Sequence, residues 1–142
     1  MPDVNLLVYA HRADEKTHAA HSRWLEDMMN GRRPFALSVL VAVGFIRIVT
    51  NPGIYETPTP PQVAIAAIEE IRAQPQCRVV VPGLDHLERV LQLCRLVSAT
   101  GKLVADAQHA ALAIAEGCTW VTRDRDFARF VPHGLSWNYL QL

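Results

Sequence analysis

Four aspartates that lie far apart in the chain are the residues best suited to chemistry: Asp3, Asp106, Asp124 and Asp126. The last two are one residue apart in the stretch VTRDRDF, directly after an apolar run that ends in a threonine. Carboxylates brought close together repel one another, which raises their pKa unless a cation lies between them. Because the candidate ligands are oxygens, Mg²⁺ or Mn²⁺ is favoured over zinc. One such ion activates water and neutralises a phosphate, and two ions flank an in-line displacement, so the pattern indicates phosphodiester hydrolysis.

Each of these aspartates also has a structural interpretation, and the sequence leaves it open. Asp3 is placed to cap a helix that follows it directly. Asp106 is placed to interact with the helix dipole from a first turn. Asp124 is a candidate cap for the short segment after it. Asp126 is a candidate for a solvated or salt-bridged side chain rather than a ligand. A metal site therefore requires that several of them meet in space.

Three polar residues near the aspartates are candidate supporting groups: Asn5, Thr122 and His109. The first two also read as local hydrogen-bonding residues. His109 lies three residues after Asp106 and so on the same helix face, where it can orient the carboxylate, contact phosphate or serve a structural role. His18 and His21 have a spacing that suits a metal, but no third ligand is evident, and we interpret them as a surface pair.

The chain alternates between helical and strand patterns. Helices are predicted over 4–12, 18–31, 60–75, 84–101 and 105–117, and a short helical turn over 124–130. Strands are predicted over 34–38, 78–83 (a buried strand), 118–122 and 135–137. The segment 39–52 has ambiguous periodicity, but its length favours a helix. Short apolar strands separated by helices predict an α/β fold with a parallel central sheet of about four to five strands flanked by helices. Sites in such sheets form at the carboxyl ends of strands, where Asp3, Asp124 and Asp126 are expected. Only two residues precede Asp3, so the first strand is a stub or the natural chain starts upstream.

Length and composition predict one domain over residues 1–142 in a cytoplasmic protein. Half of the residues are apolar, and no apolar run is long enough for a membrane span. The basic and acidic residues balance at 14 each, which gives no support for non-specific nucleic-acid binding. The three cysteines lack metal-site spacing and are interpreted as reduced core residues. No secretory signal is recognisable at the N-terminus.

Several motifs resemble one known family. The opening DVNLL (3–7) resembles the D-x-N start of PIN-domain nucleases. The segments GFIRIVTNP (44–52), LVADAQHAALAIAEG (103–117) and TWVTRDRDFARF (119–130) resemble later blocks of VapC-type toxins, the ribonucleases of bacterial type II toxin–antitoxin pairs. Each motif is short, but they occur in order along essentially the whole chain.

The resemblance implies an α/β/α PIN fold, a Mg²⁺- or Mn²⁺-dependent endoribonuclease and a homodimer. It also implies a VapB antitoxin, encoded alongside, that blocks the active site in a heterotetramer or larger assembly. Position by position, Asp3 matches the first family acid, Asp106 the third and Asp124 the fourth, and these three would hold the metal, with Asp126 as a possible further ligand. A VapB segment would need an apolar groove and would place an arginine or lysine near Asp3 and Asp106.

One position departs from the family pattern. Many PIN nucleases carry a glutamate on the helix after the second strand, where this chain has Gly44, or Val43 in another alignment, and no carboxylate occurs between Asp27 and Glu56. The missing acid implies either a weaker, single-metal site or a domain without activity. Because the motif around Gly44 resembles a subgroup of the toxins, retained activity is favoured.

Two other functional classes compete with the nuclease. The first is a catalytically weak or inactive PIN domain that binds RNA or an antitoxin. The second is a receiver domain or an aspartate phosphatase, which also groups acids at strand ends but needs a well-placed lysine. The only lysines, Lys16 and Lys102, lie in segments that do not follow strands, which argues against this class. Which RNA would be cut is not predictable from the sequence.

Overall fold

The computed structural model describes all residues, 1–142, and the chain divides into two compact units. The N-terminal unit is Pro2–Val79 with Leu142, and the C-terminal unit is Met1 with Val80–Gln141. In order, the chain forms α1 (Val4–His11), α2 (His18–Asn30), β1 (Phe35–Ser38), α3 (Val39–Val49), α4 (Pro61–Arg72), β2 (Cys77–Val80), α5 (His86–Val97), α6 (Lys102–Ala115), β3 (Trp120–Thr122), a 3₁₀ helix (Arg125–His133) and β4 (Trp137–Tyr139). The predicted alternation of helices with short strands, and with it the α/β class, is confirmed.

The segment of ambiguous periodicity, 39–52, forms a helix, α3, over Val39–Val49. It begins after Ser38, whose hydroxyl oxygen accepts a hydrogen bond from the Leu40 amide at 3.1 Å and so caps the first turn. Its buried residues, Val41, Phe45 and Val49, recur every fourth position and form one apolar stripe. Within the N-terminal unit, α3 packs against α1, β1 and α4, and α1 also packs against α2.

The strands are short and are observed as two hydrogen-bonded pairs, β1 with β2 and β3 with β4. Four strands are present, as predicted, but they form two pairs rather than one continuous sheet. Strands of three or four residues form few ladder hydrogen bonds. The predicted strand 78–83 ends at Val80 and exposes Arg78 and Val79, so it is not a fully buried strand. Pro82 has no amide proton to continue a ladder, which explains the early end.

In the C-terminal unit, β3 runs parallel to β4 with Trp120 opposite Trp137. The backbone of Met1 lies along β3: its ammonium donates to the Thr119 carbonyl at 2.9 Å, and its own carbonyl accepts from the Val121 amide at 2.9 Å. The Met1 backbone therefore forms a strand-like pairing beside β3.

The boundary between α5 and α6 corrects the sequence-based assignment. The helix predicted to close at Gly101 ends instead at Val97, because Ser98 takes a left-handed conformation with φ 50° and the Ala99 amide donates to the Cys94 carbonyl at 2.9 Å. Gly101, with φ 53°, precedes α6, which begins at Lys102 and not at residue 105. The first turn of α6 thus adds a lysine one turn before Asp106.

Two interpretations of side-chain burial change with the structure. His21 is fully buried, with Nδ1 2.8 Å from the Thr17 carbonyl oxygen and its ring edge-on to Tyr9, so His18 and His21 are not a surface pair. The three cysteines, interpreted as core residues, are partly exposed. Trp120 is fully buried, whereas Trp24 and Trp137 are half-buried. None of the helices has the length and apolar character needed to cross a membrane.

Candidate active site

The turn after β3 positions two carboxylates through local hydrogen bonds. The Thr122 hydroxyl oxygen, at the end of β3, accepts from the Asp124 amide at 2.9 Å. Asp124 in turn caps the 3₁₀ helix, because its Oδ1 accepts from the Asp126 amide at 2.9 Å. The capping interpretation of Asp124 is therefore correct, but it uses only one carboxylate oxygen. The other, Oδ2, contacts a charged group from α6.

Helix α6 supplies a third carboxylate and a cation. Asp106 is buried and is the fifth residue of α6, so it lies beyond the first turn and the helix-dipole interpretation does not apply. Lys102, the first residue, is one turn before it on the same face. The Lys102 ammonium donates to Asp106 Oδ2 at 3.1 Å and to Asp124 Oδ2, and lies 3.5 Å from Asp126 Oδ2. The salt-bridged interpretation of Asp126 is correct as well.

The acid cluster consists of Asp106, Asp124 and Asp126, each of which offers a carboxylate oxygen within 4.8 Å of the others. Burial decreases along the cluster, from Asp106 through the partly exposed Asp124 to the exposed Asp126. The cluster is thus closed on the α6 side and open to solvent on the side of the 3₁₀ helix. Three convergent oxygens with an open side suit a hard divalent cation, which keeps water or substrate oxygens among its ligands.

A run of ring contacts explains why these segments meet. The His109 ring on α6 stacks on Trp120 in β3, with centroids 5.3 Å apart and planes 23° apart. Trp120 packs on Phe127 at 5.1 Å, and Phe127 on Phe130 at 6.0 Å, both in the 3₁₀ helix. These ring contacts therefore fix α6, β3 and the 3₁₀ helix against one another, and with them the acid cluster. His109 contributes to the site through this packing.

Burial, hydrogen bonds and neighbouring charges together shift the pKa values of the acid cluster in opposite directions. Burial raises the pKa of Asp106, the Lys102 ammonium opposes that rise, and the charges of Asp124 and Asp126 add to it. For Asp124, burial is outweighed by hydrogen bonds from Lys102 and from the Asp126 amide, so its pKa is lowered. Burial is likewise outweighed at Lys102, where hydrogen bonds to Asp124 and Asp106 raise the pKa. The cluster carries more negative charge than one lysine neutralises, and a divalent cation would relieve it.

The remaining candidates belong to the N-terminal unit. Asp3 is buried at the N-cap position of α1, but its side chain makes no capping hydrogen bond, so the capping interpretation fails for the carboxylate. Asn5 is half-buried in the first turn of α1. Gly44 lies in α3, where an added Cβ would be 3.5 Å from Val4 Cγ2, an ordinary contact distance. Space therefore does not require glycine at this position.

Lys102 is the site residue that the sequence analysis missed. Its signal was the four-residue spacing to Asp106, a pairing that helices favour, and it was overlooked because the helix was expected to begin at residue 105. The argument that neither lysine is well placed beside the acids does not hold for Lys102, whose ammonium contacts all three carboxylates.

Comparisons with known proteins agree in their result. The sequence model of the PIN domain matches residues 1–131. The chain is 44% identical over 128 residues to the VapC ribonuclease Mb2897 of Mycobacterium bovis, covering 90% of this chain and 87% of that one. It is 39% identical, again over 128 residues and 90% of each chain, to ribonuclease VapC31 of Mycobacterium tuberculosis. The fold resembles a chain in the crystal structure of VapBC2 from Rickettsia felis bound to a promoter DNA fragment, with a TM-score of 0.67, 19% identity, and coverage of 97% of this chain and 96% of that one. The chain therefore belongs to the PIN domain family and, within it, to the VapC-type proteins.

Proposed function

We propose that this protein is the toxic component of a type II toxin–antitoxin pair and acts as a Mg²⁺- or Mn²⁺-dependent endoribonuclease in the cytoplasm. The observation that carries the proposal is the acid cluster, in which three carboxylates from α6 and the turn after β3 converge beside a solvent-open face. Relatives at 44% and 39% identity that are named ribonucleases support the same activity.

In this proposal Asp106 and Asp124 hold the metal, and Asp126, which is the most exposed of the three, either completes the cluster or orients a water. Asp3 is proposed as a further metal carboxylate, because it is buried and matches the first acid of the family pattern. Thr122 and His109 are positioning residues: the first holds the turn that carries Asp124, and the second packs α6 onto β3. Asn5 is proposed as a supporting residue next to Asp3.

A bound divalent ion supplies charge neutralisation for the phosphodiester and lowers the pKa of a coordinated water. The chain contributes the geometry. The Asp124 amide and carboxylate are both fixed by hydrogen bonds to their neighbours, so this ligand is ordered before any substrate arrives. The burial of Asp106 reduces the solvation of its charge, which strengthens its attraction for a cation.

RNA cleavage by the purified protein tests the proposal. Total RNA is incubated with the wild type in Mg²⁺, in Mn²⁺ and in a chelator, and the new 5′ ends are sequenced. We expect defined cuts that need the metal and a decrease of about a hundredfold or more for Asp3→Asn, Asp106→Asn and Asp124→Asn, on the scale of losing a preorganised charge-stabilising group. Asp85→Asn is the matched control, since Asp85 is an exposed aspartate of the unit that holds Asp106 and Asp124, and it pairs with Arg89.

Loss of folding is separable from loss of chemistry in these variants. Asp106→Asn removes a buried charge whose pKa is raised, so its thermal midpoint is expected to equal or exceed that of the wild type. Cleavage that persists in all three variants, or in the chelator, would refute a carboxylate-held metal. A wild type that binds its antitoxin but neither takes up Mn²⁺ nor cuts RNA would instead be the inactive binding module that Gly44 leaves open.

The antitoxin proposal is supported by a groove in the N-terminal unit. The groove has a volume of about 190 Å³ and is lined from α1, α2, α3 and α4 by Leu7, Ala10, His11, Ser22, Leu25, Glu26, Met29, Phe45, Ala67, Glu70 and Ile71. Its apolar floor with Glu26 and Glu70 suits an amphipathic segment that carries a lysine or arginine. We propose that a VapB-type antitoxin, the product of a neighbouring gene, inserts such a segment here.

A homodimer is proposed on the apolar surface of α5. Leu87 and Leu91 are one turn apart and exposed, and Leu84 just before the helix is fully exposed. A second copy of the chain would cover this surface. Sedimentation equilibrium that gives the mass of one chain at micromolar concentration would contradict the dimer.

A further inference from the structure

The Lys102 ammonium occupies the centre of the acid cluster. It donates to Asp106 Oδ2 and Asp124 Oδ2 and lies 3.5 Å from Asp126 Oδ2, so three carboxylates surround one ammonium group with three N–H donors. The same three carboxylates are those that converge with metal-ligand spacing. A lysine and a divalent cation therefore require the same oxygens.

We propose that Lys102 is a built-in counter-ion that holds the acid cluster together in the metal-free protein and leaves it when the divalent cation binds. This inference rests on the proposed metal dependence and adds to it. Because of this exchange, the observed affinity for metal depends on how much more strongly the carboxylates bind the divalent cation than the Lys102 ammonium. Lys102 therefore weakens metal binding while it keeps the carboxylates assembled.

The position of Lys102 in the fold permits such an exchange. It is the first residue of α6, directly after Gly101, and 61% of its side chain is exposed even with the ammonium in the cluster. The long stem can therefore swing into solvent without unpacking buried residues. A divalent ion carries twice the charge of the ammonium and is attracted more strongly by the same carboxylates. Asp106, by contrast, is held on a buried face of α6 and stays in place.

Calorimetric titration with Mn²⁺ measures the competition. Lys102→Met keeps the length and apolar stem of the side chain but removes the charge. We expect Mn²⁺ to bind about tenfold more tightly, because no ion pairs between an ammonium and the carboxylates have to be broken before the metal binds. Lys102→Arg keeps the charge and serves as the matched control, with an affinity near that of the wild type. The metal-free Lys102→Met protein should melt at a lower temperature than the wild type and recover with Mn²⁺, because its carboxylates then lack a counter-ion.

Chemical labelling of the wild type tests the displacement without any substitution. The chain has only two lysines, Lys102 and the exposed Lys16, so one peptide reports the site and the other is an internal reference. Amine acylation followed by mass spectrometry should modify Lys102 several times faster, relative to Lys16, when Mg²⁺ is present, because the ammonium is released from its carboxylate partners.

The outcomes separate this inference from the proposed function. A wild type that binds no Mn²⁺ would remove the metal dependence itself. Binding by the wild type that is unchanged or weaker in Lys102→Met, or acylation of Lys102 that stays constant or slows with Mg²⁺, would overturn the counter-ion exchange alone. In that case Lys102 would be a fixed part of the loaded site.

Discussion

His109 should make the stability of the protein strongly dependent on pH. Burial, with a smaller contribution from the charge of His86, lowers the pKa of His109 to about 4, and its Nδ1 is buried without a hydrogen-bond partner. In the unfolded chain the same group titrates near 6.5. Between these values the unfolded state binds the proton and the native state does not. The free energy of unfolding is therefore highest above pH 6.5 and falls as the pH is lowered toward 4.

The two pKa values give the size of the effect. The interval from 6.5 to about 4 corresponds to roughly 3 kcal/mol of unfolding free energy, of which about 2 kcal/mol is lost between pH 7 and pH 4.5. For a chain of this length that loss lowers the melting temperature by roughly 4–8 °C. His109→Phe keeps a ring against Trp120 but cannot take up a proton, so we expect its stability to fall by about 2 kcal/mol less than that of the wild type over the same pH range.

Urea unfolding at fixed ionic strength, followed by circular dichroism between pH 7.5 and 4.5, measures the two curves. Leu112→Val is the matched control, because Leu112 is buried on the same helix and its replacement destabilises without removing a titrating group. Its curve should run parallel to that of the wild type, whereas the His109→Phe curve should converge on or cross it at low pH. Parallel curves for wild type and His109→Phe would refute a neutral His109 in the native state.

Two further predictions concern the N-terminal unit. Gly44→Ala should raise the free energy of unfolding by up to about 1 kcal/mol, because alanine is more favourable than glycine in a helix interior and the added Cβ would meet only Val4 Cγ2, at 3.5 Å. A lower melting temperature would show instead that the packing of α3 on α1 requires glycine at this position. Leu25→Glu should weaken capture of the co-expressed antitoxin at least about tenfold while RNA cleavage by the free toxin is unchanged, because it buries a charge in the groove. Arg23→Gln makes the same change of net charge on an exposed part of α2, and equal antitoxin affinity for the two variants would contradict the groove as the docking site.

Much of the architecture followed from local patterns along the chain. The apolar stripe of α3, the proline at the start of α4 and the alanine-rich α6 were recognisable because helix periodicity and capping residues act over a few neighbours. The boundary between α5 and α6 was not, since Ser98 rather than a glycine adopts the left-handed conformation. That boundary decided whether Lys102 belonged to the helix of Asp106.

The sequence by itself determined the carboxylates, the family pattern that orders them, and the local turn in which Asp124 caps the segment that begins after it. Only the tertiary structure decided that His109 stacks on Trp120, that α6 and the end of β3 thereby bring Asp106 to Asp124 and Asp126, and that Lys102 lies among them. The physical reason is the range of the interactions. Caps and turns are set within a few residues, whereas a charge cluster depends on which distant side chains the packing of aromatic rings forces together.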